Sequence, residues 1–410
     1  MNTFINVKHT PAPQNASTRF ITSDAEALEV AHGLVEHLRK DASTRDATRT
    51  LPRHEMAMLS QSGLLAITVP KHFGGAQVSA MTLAKVGTLL SEADSSIGQI
   101  PQNHFYSVET LRLIGTPDQQ QFFFGQVLQG ARLGNAVAET GTPTATARHR
   151  KTRLVQTQNG LTISGRKAYC TGALLSDWIA VFVKDERDYQ HMAYVPAGSP
   201  GLTLNEDWDA MGQRTTGSGT AVFEDVAVLP EHVLPFQKIF DEPSRLGPFS
   251  QMWHTAIQLG IAREALNDLK QFVVNKARPW IDSGAGRASD DLLTLFDAGA
   301  LQVDLHAAEE LLWLAAEKVD EIKNGASVEE LANASIAVAQ AKVLATKLSL
   351  KASTKLIELS GAQSSLAQYN LDRHWRNART HTLHDPVRWK FATLGDYYLN
   401  GTLPPRRGYI

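Results

Sequence analysis

Two imidazoles and a carboxylate stand within five residues of one another in Arg379-Thr380-His381-Thr382-Leu383-His384-Asp385-Pro386. An imidazole ordinarily titrates near neutrality, so either ring could donate or accept a proton at working pH. Two histidines and a carboxylate are also the donor set of a facial metal site. The adjacent His384 and Asp385 would normally point apart, which disfavours a metal. The blander reading has both rings satisfying backbone groups where Pro386 stops a helix. His104, in Asn103-His104-Phe105-Tyr106, is either a satisfied helical histidine or a further acid–base group.

Other stretches suit binding better than proton transfer. Asn135-Ala136-Val137-Ala138-Glu139-Thr140-Gly141-Thr142 carries small residues and hydroxyls where backbone N–H groups can reach a ligand. Gly165-Arg166-Lys167-Ala168-Tyr169-Cys170-Thr171-Gly172 repeats the idea, and Tyr169 and Thr171, two apart, would share one side of a strand. Arg278, before Pro279-Trp280, has the planar fork that grips a phosphate. No Gly-x-Gly-x-x-Gly after a strand, phosphate-binding Gly-Lys-Ser/Thr loop or Gly-x-Ser-x-Gly elbow is present. That argues against Rossmann enzymes, nucleotide hydrolases and serine hydrolases of the common kinds.

The elements that must hold these residues can be read from periodicity. Ser23 to about Gly130 has apolar residues at helical spacing, opened by Ser23-Asp24-Ala25-Glu26, a pattern that caps a helix reciprocally. Val69-Pro70 and Phe73-Gly74-Gly75 interrupt it, predicting a loop between Leu64 and Gln77. From about Leu133 to Val233 the period becomes that of strands, with a hairpin around Gln158-Asn159-Gly160 and further strands at Trp178 to Val183, His191 to Val195 and Thr220 to Phe223. After Pro243 the spacing is helical again, at Phe249 to Asn275, Asp290 to Lys323, Val328 to Leu359 and Gln368 to Arg379. The uncharged, alanine-rich Leu331 to Ala341 predicts close helix packing in a bundle. The expected fold class is α+β, divided at 1–130, 131–240 and 241–410.

Lys+Arg 40 against Asp+Glu 42 gives a net charge of −2, with no basic cluster, so no nucleic-acid partner is expected. No run approaches the ~20 apolar residues that cross a bilayer, and Met1 to Thr22 lacks a basic region followed by an apolar run. A cytoplasmic protein without membrane contact is the expectation. Cys170, the single cysteine, supplies neither an internal disulfide nor a multi-thiolate metal site.

With these segments in order, the sequence resembles the acyl-CoA dehydrogenase superfamily over nearly its whole length. The landmarks are Gly63-Leu64-Leu65-Ala66-Ile67-Thr68-Val69-Pro70, Ala138-Glu139-Thr140-Gly141, Gly165 to Gly172, Met211-Gly212-Gln213-Arg214, Phe223-Glu224-Asp225-Val226 and Arg373 to Arg379. The resemblance implies an N-terminal helical domain, a middle β domain, a C-terminal four-helix bundle, a flavin between them and a homotetramer. Dehydrogenases of the superfamily commonly place Tyr-Glu-Gly-Thr, with its proton-abstracting glutamate, where this chain has His384-Asp385-Pro386-Val387. That departure, with Arg278-Pro279-Trp280 and Tyr398-Leu399-Asn400-Gly401, is similar to the two-component flavin monooxygenases related to dibenzothiophene monooxygenase, and most of all to the sulfur-acquisition group called SfnB.

In that branch the resemblance implies that a separate NAD(P)H-dependent reductase delivers FMNH2, that O2 adds to it as a C4a-(hydro)peroxyflavin, and that one oxygen passes to a small organosulfur substrate. It also implies roles by position: His384 and His104 facing the reactive edge of the flavin, with His381 behind them, and Asn135 to Thr140 and Lys167 to Thr171, Tyr169 included, against the isoalloxazine. Thr171, where a serine is expected, would lie near N5, Arg278 would hold the phosphate, and Ala362-Gln363 would approach the cofactor from the bundle or a neighbouring subunit. No metal is implied. The alternatives are an acyl-CoA dehydrogenase with tightly bound FAD and a flavin-binding protein without turnover.

Overall fold

The computed structural model describes residues 18–142, 149–323 and 325–406. Most of Met1 to Thr22 lies outside them. Helices come first: α1 Asp24–Arg39, α2 Ala42–Thr48, α3 Arg53–Gln61, α4 Ala80–Ala93, α5 Ser95–Gln99, α6 Gln102–Ile114 and α7 Pro117–Leu128. Ser23 caps α1 by accepting from the Glu26 N–H. The expected reciprocal bond is displaced by one residue, because the Glu26 carboxylate takes the Thr22 N–H at 2.9 Å instead. Between Leu64 and Gln77 the chain makes two 3-10 turns.

The strands are β1 Leu133–Ala136, β2 Arg153–Thr157, β3 Gly160–Lys167, β4 Trp178–Lys184, β5 Gln190–Pro196, β6 Leu202–Leu204, β7 Ala221–Val228 and β8 Val233–Leu234. They form one sheet in the order β6-β7-β3-β2-β4-β5-β8, with β1 parallel to β4. The β2–β3 hairpin turns on Gln158-Asn159, with Thr157 opposite Gly160. β4 alternates between two cores: Ala180 and Phe182 pack with Phe123, Phe124 and Phe236, while Ile179, Val181 and Val183 pack with Ile163, Val195 and Phe223. Burial on both faces explains why β4 reads as a continuous apolar run.

The last region is helical: α8 Leu246–Asn275, α9 Leu292–Glu321, α10 Val328–Ser360, α11 Asp372–His381 and α12 Val387–Asn400. Ala334, Ala337, Ala341 and Ala345 let α10 approach α8 along much of its length, since alanine adds almost no width to the helix. Polar groups run through this contact in register. Lys342 meets Gln251, and four residues on Thr346 meets Gln258. α12 follows directly on Pro386, which has no amide proton to lose at a helix start.

Candidate active site

Two groups of side chains converge where the helical regions meet one end of the sheet. The first is a helical wall. His254, on the polar stripe of α8, lies with its Nδ1 3.2 Å from His381 Nε2 at the end of α11. Its ring also lies over that of His384, with centroids 3.9 Å apart. Asp385 is buried between Lys342 Nζ at 2.9 Å and Lys390 Nζ at 2.8 Å. Its Oδ1 is also 3.3 Å from His384 Nδ1. Adjacency does not force His384 and Asp385 apart, because the turn after α11 brings both side chains to the same side.

The electrostatics of the wall follow from burial. Desolvation pushes His254 and His381 well below 6.5, and the Lys342 and His384 charges add to it, so both rings stay neutral. Burial pushes Asp385 upward, but Lys342, the His384 hydrogen bond and Lys390 outweigh it and hold the carboxyl well below the usual carboxylate range. Burial lowers Lys342 to about 8 against the pull of Asp385. An ionised Asp385 can only accept, so His384 Nδ1 donates to it, and a neutral His384 carries its lone pair on Nε2.

The second group is a floor on the sheet. β3 ends at Lys167, and Tyr169 adopts a left-handed conformation with φ +56°. The expected same-side arrangement of Tyr169 and Thr171 is therefore overturned: Tyr169 is 54% exposed and Thr171 is 7%. The strand alternation on which that expectation rested stops where φ changes sign. Thr171 Oγ1 lies 2.8 Å from Ser218 Oγ, which lies 2.6 Å from Thr216 Oγ1, and Thr216 donates to the Gln213 carbonyl at 3.0 Å. Asn135 donates from Nδ2 to the Tyr169 carbonyl at 3.4 Å.

Gln213 joins floor and wall. Its N–H donates to Asn377 Oδ1 of α11 at 2.7 Å, and its Oε1 accepts from Ser95 and Ser96 of α5 at 3.0 and 3.2 Å. Gly212 makes this possible, since a Cβ there would stand 2.0 Å from the Arg376 carbonyl. A cleft of about 70 Å³ opens beside the junction, lined by Asp46, Ser95, Ser96, Thr215, His374 and Asn377 among others.

The remaining residues singled out from sequence lie elsewhere. His104 is buried, donating from Nε2 to the Leu65 carbonyl at 2.8 Å and accepting at Nδ1 from the Leu133 N–H at 3.1 Å, and burial lowers it to about 4. Lys167 is paired with Glu139 at 2.7 Å. Burial lowers Lys167 to about 8, while Lys167 and the Lys151 and Thr152 donors overcome burial to bring Glu139 to about 2. Thr140, Arg278, Ala362 and Gln363 are exposed. Sequence reasoning missed His254, Lys342, Lys390, Gln213 and Ser218. The available signal was polar spacing on apolar helices: Gln251, His254 and Gln258 on one, Lys342, Thr346, Ser349 and Ser353 on the other.

Asn135 Oδ1, His254 Nε2 and His381 Nδ1 are buried without a hydrogen-bond partner among the described residues. Such atoms are rare in native proteins, and a bound group or water satisfies them. Among the described residues no group of three or more His, Cys, Asp or Glu is arranged to hold a metal ion, and no helix is long and apolar enough to cross a membrane.

Models of the acyl-CoA dehydrogenase N-terminal, middle and C-terminal domains match residues 26–131, 134–226 and 252–389. Dibenzothiophene monooxygenase of Rhodococcus erythropolis is 32% identical over 399 residues, covering 93% of this chain and 95% of that protein. The probable FMNH2-dependent monooxygenase SfnC of Pseudomonas putida is 32% identical over 391 residues, covering 93% of this chain and 97% of that protein. The crystal structure of FMN-bound TdsC from Paenibacillus sp. A11-2 superposes with a TM-score of 0.89 at 31% identity, covering 94% of this chain and 100% of that one.

Proposed function

The chain belongs to the acyl-CoA dehydrogenase family, in the branch of dibenzothiophene monooxygenase, and on that premise we propose that it is an FMNH2-dependent monooxygenase of organosulfur compounds. The observation that carries this reading is the state of Asp385. A carboxylate held between Lys342 and Lys390, well below its ordinary pKa, is a poor base for an α-proton, so dehydrogenation loses its central residue. In its place stands His384, an imidazole whose Nε2 is left to move a proton while Asp385 holds Nδ1.

The donor set fits a flavin: a hydroxyl, an amide oxygen with no partner among the described residues and imidazole nitrogens suit the polar edge of an aromatic ring system. Asn135, Thr140, Tyr169 and Thr171 hold that edge, with Lys167 bracing the strand through Glu139. Arg278 takes the phosphate, and Ala362 and Gln363 complete the site from the bundle or a neighbouring copy. Reduced FMN, when bound, supplies the electrons that activate O2, so that one oxygen atom goes to sulfur and the other leaves as water. His384 takes up a proton at Nε2 and gives it to the departing oxygen, Asp385 fixes the ring through Nδ1, and His381 and His254 back it with neutral rings that exclude water. His104, tied to Leu65 and Leu133, shapes the same end of β1 two residues before Asn135.

A separate NAD(P)H-dependent flavin reductase is the electron source, and the compartment is cytoplasmic. The reading divides the chain into functional domains at 1–130, 131–240 and 241–410. The assembly is a homotetramer: Leu292, Leu295, Phe296 and Val303 on α9, and Trp389, Tyr398 and Leu399 on α12, are exposed apolar side chains that a second copy would cover.

The test is anaerobic stopped-flow: protein loaded with FMNH2 is mixed with oxygenated buffer and the absorbance is followed. A transient phase that outlasts reoxidation of free flavin, together with oxygenated sulfur product when substrate is present, is expected. Reoxidation at the free-flavin rate, with bleaching of copurified FAD by an acyl-CoA, overturns the reading in favour of a dehydrogenase.

A further inference from the structure

α5 runs into α6 through Ile100 and Pro101, and this short passage is pinned on both sides. Gly98 offers its carbonyl to the Trp253 indole N–H at 3.1 Å, and the next residue of α8 is His254 of the wall. On the other side, a Cβ at Gly172 would stand 3.0 Å from Ile100 Cγ2, and the residue before Gly172 is Thr171 of the floor. Gln99 therefore sits where wall and floor meet, with Ser95 and Ser96 one turn back holding the helix to Gln213. Its Oε1 is buried and takes no donor from any described residue. Asn103, four residues on and also buried, has no hydrogen-bond partner for its amide among the described residues. Beside it His104 is committed at both ring nitrogens, to Leu65 and Leu133. A buried amide left unmet costs free energy, so two of them beside the acid–base wall mark a surface that waits for a polar ligand group.

We infer that Gln99 and Asn103 are specificity-determining residues that bind the oxygen of a sulfur group already partly oxidised, a sulfoxide or a sulfinate, in preference to a bare sulfide. This rests on the reading above that the site oxygenates sulfur. An amide N–H donates well to an oxygen on sulfur and poorly to a divalent sulfur, which is a weak acceptor. A site built around such a bond rejects the analogue that lacks it, because its buried amides are then left unpaired. Sulfoxides and sulfinates also keep one lone pair on sulfur, so the step balances. That lone pair forms the new sulfur–oxygen bond as the O–O bond of O2 breaks. Two electrons from sulfur and two from FMNH2 reduce O2, and the second oxygen leaves as water with the two protons of FMNH2.

The test uses a matched pair of probes, dimethyl sulfoxide and dimethyl sulfide, with methanesulfinate as the charged oxygen-bearing compound. Coupled product formation is expected to give a kcat/KM about 10²-fold higher for dimethyl sulfoxide than for dimethyl sulfide, two hydrogen bonds at about tenfold each. Gln99→Met and Asn103→Leu keep the side-chain volume and remove the amides, and each is expected to lower that ratio about tenfold. A loss of packing alone would move both probes together. Gln99→Glu keeps the shape, removes the donors and sets a carboxylate against an anion, so methanesulfinate is expected to lose more than dimethyl sulfoxide. Binding of dimethyl sulfoxide and methanesulfinate to protein carrying oxidised FMN, followed by the flavin absorbance, makes the same comparison of variants without turnover. If one variant fails to fold by circular dichroism, the other decides. A wild-type preference for dimethyl sulfide, or a ratio unmoved in both variants, overturns the recognition role and leaves oxygenation of sulfur intact. No oxygenated product from any of the three probes, with FMNH2 reoxidised at the free-flavin rate, overturns the reading beneath it as well.

Discussion

On the helical wall, a carboxylate and two ammonium groups are buried together and neutral imidazoles crowd against them. On the floor, from Thr171 to Gln213, there is no charge at all, only hydroxyls, an amide and a carbonyl. Helices from distant parts of the chain can aim long side chains at one point: α10 and α12 bring the charges of Lys342 and Lys390 to Asp385, and α8 and α11 bring the neutral rings of His254 and His381. A loop closing on the end of a strand works at shorter range and brings uncharged hydroxyls into contact instead of charges. The difference assigns acid–base behaviour to one side of the site and recognition to the other.

The largest expected effect tests the wall. Lys342→Met leaves Asp385 short of one of its two counter-charges, and breaking a buried pair costs about 3–5 kcal/mol of unfolding free energy, read from denaturant melts. A comparable loss from Thr216→Val on the floor would erase the contrast. Next comes His384→Ala, expected to lower coupled product formation about 10²–10³-fold and send the electrons to hydrogen peroxide, with FMN affinity retained. Full coupled turnover in that variant removes His384 from the chemistry.

The third prediction is a pH dependence. His254 and His381 titrate well below 6.5 in the folded chain and His104 near 4, while all three take up protons near 6.5 when unfolded. Below 6.5 the unfolded chain binds more protons, so stability falls as pH drops toward 4. Each buried ring contributes about 1.4 kcal/mol per pH unit. His254→Gln should flatten the slope by about one histidine, and Ser218→Ala should leave it unchanged; equal slopes in all three proteins break the division. The smallest effect is Asn377→Ala, which removes the acceptor of the Gln213 N–H and should cost about 1 kcal/mol.

Much of the fold was legible because it depends on local period. The α8, α9 and α10 spans, the hairpin at Gln158-Asn159 and the 3-10 segment after Leu64 all follow from spacing and turn residues. β1 falls where the strand period begins, at Leu133, but its parallel pairing was not legible because its partner β4 lies more than forty positions away. α12 was hidden behind Pro386, read as a stop when it is also a start. In the site, His381 and His384 stood out because they are close in sequence. Their partners did not, since the polar spacing of His254 within thirty helical residues, and of Lys342 after an uncharged run, marks a polar stripe without saying what it faces. Convergence is a tertiary property, and the Tyr169 reversal is a single backbone angle that no strand pattern encodes.

The Gln213 junction has a consequence for how the molecule can be watched. One backbone amide, donating to Asn377 while its own side chain engages Ser95 and Ser96, is shielded from solvent only when all three parts of the chain are docked together. Its hydrogen–deuterium exchange rate is therefore a one-residue gauge of docking, and separation of any part from the others releases it.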